Sequence, residues 1–155
     1  MRRSRRPGIL GRYLIAVICC SLAWEALHMP LYTLWSTATA LQLAANVVQC
    51  TGVNMVIALV SLLVAMAFAS RGSIPLRRYA AVAILASVFA VGYTVVSEWL
   101  NVHVWHVWAY SDLMPMLPGT ELGLSPIVQW IVIPVAGCWW AHRGRPTTRF
   151  AITKT

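Results

Sequence analysis

Charge is scarce in this sequence. Only 10% of its 155 residues are Asp, Glu, Lys or Arg, against roughly 25% in an ordinary soluble domain, so water is not expected to be its main solvent. Acidic residues are fewest of all: Glu25, Glu98, Asp112 and Glu121 are the complete set. No run of alternating polar and apolar residues occurs, which argues against a membrane barrel. No C-x-x-C, nucleophile elbow, phosphate-binding glycine loop or dinucleotide fingerprint is found, so no reaction class or cofactor is written in a motif. Internal repeats, low-complexity tracts and a second domain are also lacking.

Apolar residues take the place of the missing charge, at 59% of the chain, and the mean hydropathy is +0.70. A hydrocarbon core of about 30 Å needs roughly 20 apolar residues in a helix. Four windows meet or approach that length: Tyr13 to Trp35, Ala45 to Ser70, Tyr79 to Leu100 and Ser125 to Ala141. The expectation is an all-α membrane protein, a bundle of four transmembrane helices forming one domain over 1–142, followed by a basic, disordered cytoplasmic tail over 143–155. Pro134 lies inside the short fourth window, which is expected to be kinked or little tilted.

The twelve basic residues give the orientation. Arg2, Arg3, Arg5, Arg6 and Arg12 precede the first window, Arg71, Arg77 and Arg78 separate the second and third, and Arg143, Arg145, Arg149 and Lys154 follow the fourth. All fall on one side, which the positive-inside rule makes the cytoplasmic one: N-in and C-in, in a cell inner membrane. The net charge of +8 is therefore read as a topology signal, with the lipid bilayer and no nucleic acid as partner. The basic N-terminus imitates a signal peptide, but its apolar run continues too long for one and is read as a retained helix.

Trp35, Trp99, Trp105 and Trp108 are expected at the outer interface and Trp139 and Trp140 at the inner one. The short inner segment with Gly72 and Pro75 predicts that spans two and three are antiparallel neighbours. The outer segment from about His106 to Leu124 is long enough to fold back over the bundle as a lid. Cys19, Cys20, Cys50 and Cys138 all lie in apolar stretches and read as small packing residues; no second cysteine sits at a depth that suits a disulfide to Cys50.

Depth follows from the 1.5 Å rise per residue. Counted from the nearest cytoplasmic arginine, Glu25 lies about 20 Å up, His28 about 24 Å, Asn54 about 25 Å, Gln129 about 21 Å and Glu98 about 30 Å. Polar groups from all four helices thus collect in the outer third. Glu25, His28 and Tyr32 share one helix face; so do Thr94, Glu98, Asn101 and Trp105; so do Asn46, Cys50 and Asn54, with Gly52 expected to permit close approach. Pro30 is expected to bend the first helix at its polar face. Helical phase predicts a pocket open to the outer side, with Glu25, His28, Tyr32, Asn54, Thr94, Glu98, Asn101 and Gln129 as candidate ligand-binding residues.

Several readings compete for that pocket. Polar glue between helices explains Asn46, Asn54 and Gln129, each such bond stabilising by about 0.6 kcal/mol; it explains less well two carboxylates and three histidines at one end. A buried carboxylate costs about 2.5–3.5 kcal/mol by insertion scales for Asp and is expected to have a partner and a function. Binding of a hydrophobic small molecule, a lipid or a membrane-protein partner is the first functional reading. A membrane-embedded enzyme with Glu25, His28 and Glu98 as candidate catalytic acid and base, acting on a lipid-like or isoprenoid substrate, is the alternative. A metal site is the third: Glu25-x-x-His28 has the i, i+3 spacing of bundle metal sites, and His103-x-x-His106 adds two imidazoles, though the carboxylates for a di-iron centre are too few. A transporter fits poorly without a repeat, unless a homodimer builds the path. Asp112, Glu121 and His142 read as solvated or interfacial side chains.

The segments Ser97-Glu98-Trp99-Leu100-Asn101, Trp108-Ala109-Tyr110, Met114-Pro115, Gly123-Leu124-Ser125-Pro126 and Gln129-Trp130 resemble those of small four-helix bacterial inner-membrane proteins of uncharacterised function. The resemblance covers the last third of the chain and implies a bacterial inner-membrane location, with no activity, cofactor or site residue attached.

Overall fold

A computed structural model describes residues 8–70 and 79–143. Its elements are α1 (Ile9–His28), a 3-10 turn (Met29–Leu31), α2 (Leu34–Thr37), α3 (Ala40–Phe68), α4 (Tyr79–Trp99), a π turn (Leu100–Val104) and α5 (Leu124–Arg143). Among the described residues there is no strand, and four helical segments are long and apolar enough to cross a membrane: Ile9–Leu31, Ala40–Phe68, Ala80–Val104 and Leu124–Ala141. The inner segment 71–78, the arginines before Pro7, the tail beyond Arg143 and the His142 side chain lie outside the described residues, so expectations about them stand apart from the fold.

Three of the four span boundaries differ from the sequence expectation, each for a local reason. The first span stops short of Trp35 because Pro30 lacks an amide hydrogen and opens a 3-10 turn directly after His28, ending α1 instead of bending it. The second begins five residues early, at Ala40, where Thr39 and Gln42 form a reciprocal capping box: the Thr39 amide donates to Gln42 Oε1 at 2.8 Å and the Gln42 amide donates to Thr39 Oγ1 at 3.4 Å. The third runs on through the π turn to Val104. His106, at φ 52, then reverses the chain with its ring nitrogen Nδ1 3.0 Å from the Val102 carbonyl oxygen.

The four spans form a closed ring. α1 packs on α3 and α5, and α4 packs on the same two. Residues turned inward recur at three- and four-residue steps: Tyr13, Val17, Ser21, Glu25 and His28 on α1, and Thr51, Asn54, Ala58, Ser61 and Ala65 on α3. Small and polar groups make up much of the interior beside Tyr13, Leu62, Trp130 and Ile133, while Leu27, Leu41, Val48, Val56 and Ile84 are among the many large aliphatic residues left exposed. This inside-out distribution suits a bilayer, where apolar side chains gain nothing by leaving lipid and helices associate through close packing and polar contacts. Gly137 is such a close approach: a Cβ there would lie 3.2 Å from the Tyr13 ring. Gly52 is not, since a Cβ would meet nothing within 4 Å, contrary to the role its spacing indicated.

Contacts along α1 and α5 fix which ends coincide. Arg12 donates to the Trp140 carbonyl oxygen at 3.0 Å and stacks 4.9 Å from the Trp140 ring centroid, so the start of α1 and the end of α5 share one end of the bundle. Arg143 stacks on Trp139 at 3.3 Å there. At the other end the Trp24 indole donates to Ser125 Oγ at 3.2 Å.

The segment 105–123 closes that second end. Tyr32 and Tyr110 form an antiparallel bridge, with the Thr33 amide donating to the Ala109 carbonyl oxygen at 3.0 Å and the Ser111 amide to the Leu31 carbonyl oxygen at 2.9 Å. A second bridge joins Met116 to Gly123. Gly123 has no room for a side chain: a Cβ would lie 3.0 Å from Met114 Sδ and from the Tyr110 ring. The absence of a side chain at Gly123 therefore lets Tyr110 sit where it does.

Candidate functional site

Glu25 lies on the inward face of α1, three residues before the helix ends, and one turn of helix brings His28 alongside it. His28 Nε2 stands 2.8 Å from Glu25 Oε2. The other carboxylate oxygen, Oε1, accepts from Asn54 Nδ2 of α3 at 2.6 Å and from Gln129 Nε2 of α5 at 3.0 Å. Glu25 thus has both oxygens engaged and partners on three helices, which meets the requirement for placing a carboxylate among apolar spans.

His28 is held from its far side as well. Its Nδ1 lies 3.1 Å from Ser125 Oγ, and that oxygen in turn accepts from the Trp24 indole. In the neutral ring with hydrogen on Nε2, the order runs Trp24 to Ser125 to His28 to Glu25, each group donating to the next. Glu25 Oε2 is the basic atom of this relay: it can take a proton from a third group and return it while the imidazole stays neutral with its hydrogen on Nε2. Ser125 is buried and lies off the cavity wall, behind the imidazole; its position suits holding the ring and not attacking a ligand.

Glu98 is set apart from this network. It comes from the end of α4, and its Oε2 accepts from the Tyr110 hydroxyl at 2.5 Å. Among the described residues, Tyr110 is the side chain that closes a hydrogen bond of good geometry on Glu98. The buried Trp108 indole N–H faces the Glu98 carboxylate without closing a hydrogen bond of good geometry to it. Burial, and then Glu98, holds the Tyr110 phenol above the usual tyrosine range; burial followed by the charge of Glu98 does the same for Tyr32.

These groups surround one cavity of about 190 Å³. Its polar wall includes Glu25, His28, Tyr32, Asn54, Thr94, Glu98, Trp108 and Gln129. Val53, Ile57, Met29 and Trp130 supply apolar wall. Tyr32 sets its ring edge-on to His28 at 5.3 Å between centroids and lies 5.7 Å from Tyr110, so the loop bridge holds both tyrosines at the same end of the bundle as the acid and imidazole pair.

Of the eight ligand-binding candidates, seven line this cavity. Asn101 does not: its amide donates back to the Ser97 carbonyl oxygen at 2.7 Å and to Ser97 Oγ at 3.2 Å, and the wider π turn starting at Leu100 carries the following residues off the polar face. Trp105, placed on the same face by helical spacing, is exposed. The four candidate metal ligands are not brought together either. His103 Nε2 lies 3.2 Å from the Glu121 carbonyl oxygen, with the exposed Glu121 carboxylate 3.7 Å from Nδ1, and His106 is tied to Val102. Among the described residues no group of three His, Cys, Asp or Glu side chains is positioned to hold a metal.

Trp24, Ser125, Trp108 and Tyr110 belong to the site and were not picked out by helical phase. Interfacial spacing groups Trp108 with Trp35, Trp99 and Trp105; those three are exposed, whereas Trp108 turns its indole nitrogen inward. The fold and site together define an all-helical protein of membrane character with a polar cavity at one end of its bundle. No family model, no curated protein and no solved structure matches the chain.

Proposed function

We propose that this chain is a multi-pass inner-membrane protein, with both termini cytoplasmic, that binds a small ligand or lipid in the cavity beside Glu25, His28 and Glu98. The observation that carries the reading is the meeting of polar side chains from all four spans around one space, when fewer groups would have sufficed to hold the helices together. Asn54, Gln129 and His28 together engage both oxygens of Glu25, as glue would. Glu98 is different: the Trp108 indole faces its carboxylate without closing a hydrogen bond of good geometry, and Tyr32 stands on the same wall.

The orientation rests on the basic residues. Arg12 and Arg143 share the end opposite the cavity, and the remaining arginines are adjacent in sequence to that end, which the positive-inside rule assigns to the cytoplasm. The cavity then lies toward the non-cytoplasmic surface.

Mass spectrometry of small molecules that co-purify with the protein tests the binding role. Wild-type protein should carry a species in near-stoichiometric amount that Val53→Trp, a filling substitution at the half-exposed rim, excludes. Identical profiles for both proteins would contradict the reading.

A second reading, a membrane-embedded enzyme using Glu25 and His28 as acid and base, draws support from the His28 ring being held between Ser125 and Glu25 while still facing the cavity. With both ring nitrogens engaged, the Glu25 carboxylate is the group of the pair that would exchange a proton with ligand, and the imidazole would hold it in place. The arrangement names no reaction, since no nucleophile lies on the wall in a comparable relay.

A further inference from the structure

The cavity wall has a side that faces lipid. Val53 of α3 is 47% exposed and Tyr93 of α4 is 53% exposed, yet both line the cavity, as does the exposed Gln49. The mouth therefore lies on the flank of the bundle between α3 and α4, within the two apolar spans. At about 190 Å³ the space is smaller than the roughly 300–1,000 Å³ that encloses a whole drug-sized ligand. It has room for a headgroup and the first carbons of a chain whose remainder stays in the bilayer.

Two groups on the wall specify that headgroup. The Trp108 indole N–H, which can only donate, faces the Glu98 carboxylate, which can accept, without closing a hydrogen bond of good geometry to it. A single hydroxyl satisfies both, donating to Glu98 and accepting from Trp108. An ammonium group has no lone pair for the indole, and a carboxylate would meet two glutamates in a poorly solvated space. A neutral hydroxyl also costs least to bring from lipid. Tyr32 and Thr94, whose hydroxyls can either donate or accept, adapt to it without excluding it.

We infer that the cavity takes the hydroxyl headgroup of a long-chain alcohol that enters sideways from the bilayer between α3 and α4, with its oxygen between Glu98 and Trp108 and its chain along Val53, Ile57 and Tyr93. This rests on the binding role proposed above and adds the ligand class and the route.

The test uses the full chain in lipid nanodiscs and a photoreactive dodecan-1-ol carrying a diazirine near its hydroxyl end, with labelled residues located by peptide mapping. Saturable labelling should fall on α3 and α4 around Val53 and Tyr93 and be competed by dodecan-1-ol at least tenfold better than by dodecane or dodecylamine. Trp108→Phe and Glu98→Gln should each weaken the alcohol by roughly tenfold, the worth of about 1.4 kcal/mol. If dodecane or dodecylamine competes as well as the alcohol, or if both substitutions leave its affinity unchanged, the hydroxyl assignment is wrong while the cavity remains a binding site. If labelling does not saturate and spreads over the lipid-facing residues of all four spans, the binding role fails with it. Competition on the wild-type protein decides the point even should a substituted chain fold poorly.

Discussion

His28 Nε2 sits 2.8 Å from Glu25 Oε2, one helical turn away, and both side chains are almost completely buried. The pair is local in sequence but is fixed from elsewhere: Asn54 and Gln129 hold the carboxylate, and Ser125 holds the imidazole. Loss of a fixing residue and loss of the acid should therefore have different consequences.

Glu25→Gln places an amide where a carboxylate accepted three hydrogen bonds. The new NH₂ can face His28 if the imidazole moves its hydrogen to Nδ1, where Ser125 Oγ accepts it, so the fold should survive with a loss of about 1–2 kcal/mol. Glu25→Ala leaves His28, Asn54 and Gln129 without their acceptor, at about 1–3 kcal/mol for each group that finds no other partner. Unfolding in mixed micelles should rank the variants in that order. Ligand binding should persist in Glu25→Gln; any turnover that depends on proton exchange should not.

Tyr110→Phe and Gly123→Ala should converge on one phenotype. The first removes the donor to Glu98, and the second pushes a methyl into the Tyr110 ring and Met114, displacing the same hydroxyl. Both should weaken binding at the cavity, measured with the photoreactive alcohol, and by similar factors. The phenol also predicts an alkaline effect. Its folded-state pKa is raised, so its contribution to stability is complete below the ordinary tyrosine value of about 10 and is lost as pH climbs beyond it. Tyr110→Phe should lessen that alkaline loss.

Helix glycines separate into two kinds. Ala at Gly52 meets open space and should stabilise α3 by about 0.5–1 kcal/mol through helix propensity. Ala at Gly137 must push the buried Tyr13 ring aside and should destabilise by about 1 kcal/mol, at the lower end of overpacking costs. Thermal unfolding of the two variants in the same detergent should move in opposite directions.

Topology is checked with reporters. A fluorescent protein that matures only in the cytoplasm should glow when fused after Thr155, and an export-dependent phosphatase inserted near Pro118 should be active. The reverse pattern would put the cavity on the cytoplasmic side.

Much of this arrangement was legible in the sequence because a helix converts position into depth and direction. Glu25, His28, Asn54, Thr94, Glu98 and Gln129 all sit in helix and line one cavity, as helical phase predicts. Asn101 lies just beyond Leu100, where the π turn changes the residues per turn, so a 3.6-residue count misplaces the side chains after that point. Tyr110 and Trp108 come from an irregular loop whose path depends on the bridge to Tyr32, and no periodicity reports such a pairing. Ser125 stands 97 residues from His28, and no periodicity along one helix reports a partner on another. The ends of α1 and α3 were missed for a different reason: hydropathy windows register apolar length, whereas Pro30 and the Thr39–Gln42 box act through backbone hydrogen bonds.

The most direct test of the convergence of spans is solid-state NMR on the protein in lipid, measuring through-space correlations from the Glu25 carboxyl carbon to side-chain nitrogen. Cross-peaks to His28 Nε2, Asn54 Nδ2 and Gln129 Nε2, all absent in Glu25→Ala, are predicted. A Glu25 carboxyl carbon that correlates with lipid acyl chains and with none of those nitrogens would contradict the meeting of helices on which the site, its ligand and its chemistry depend.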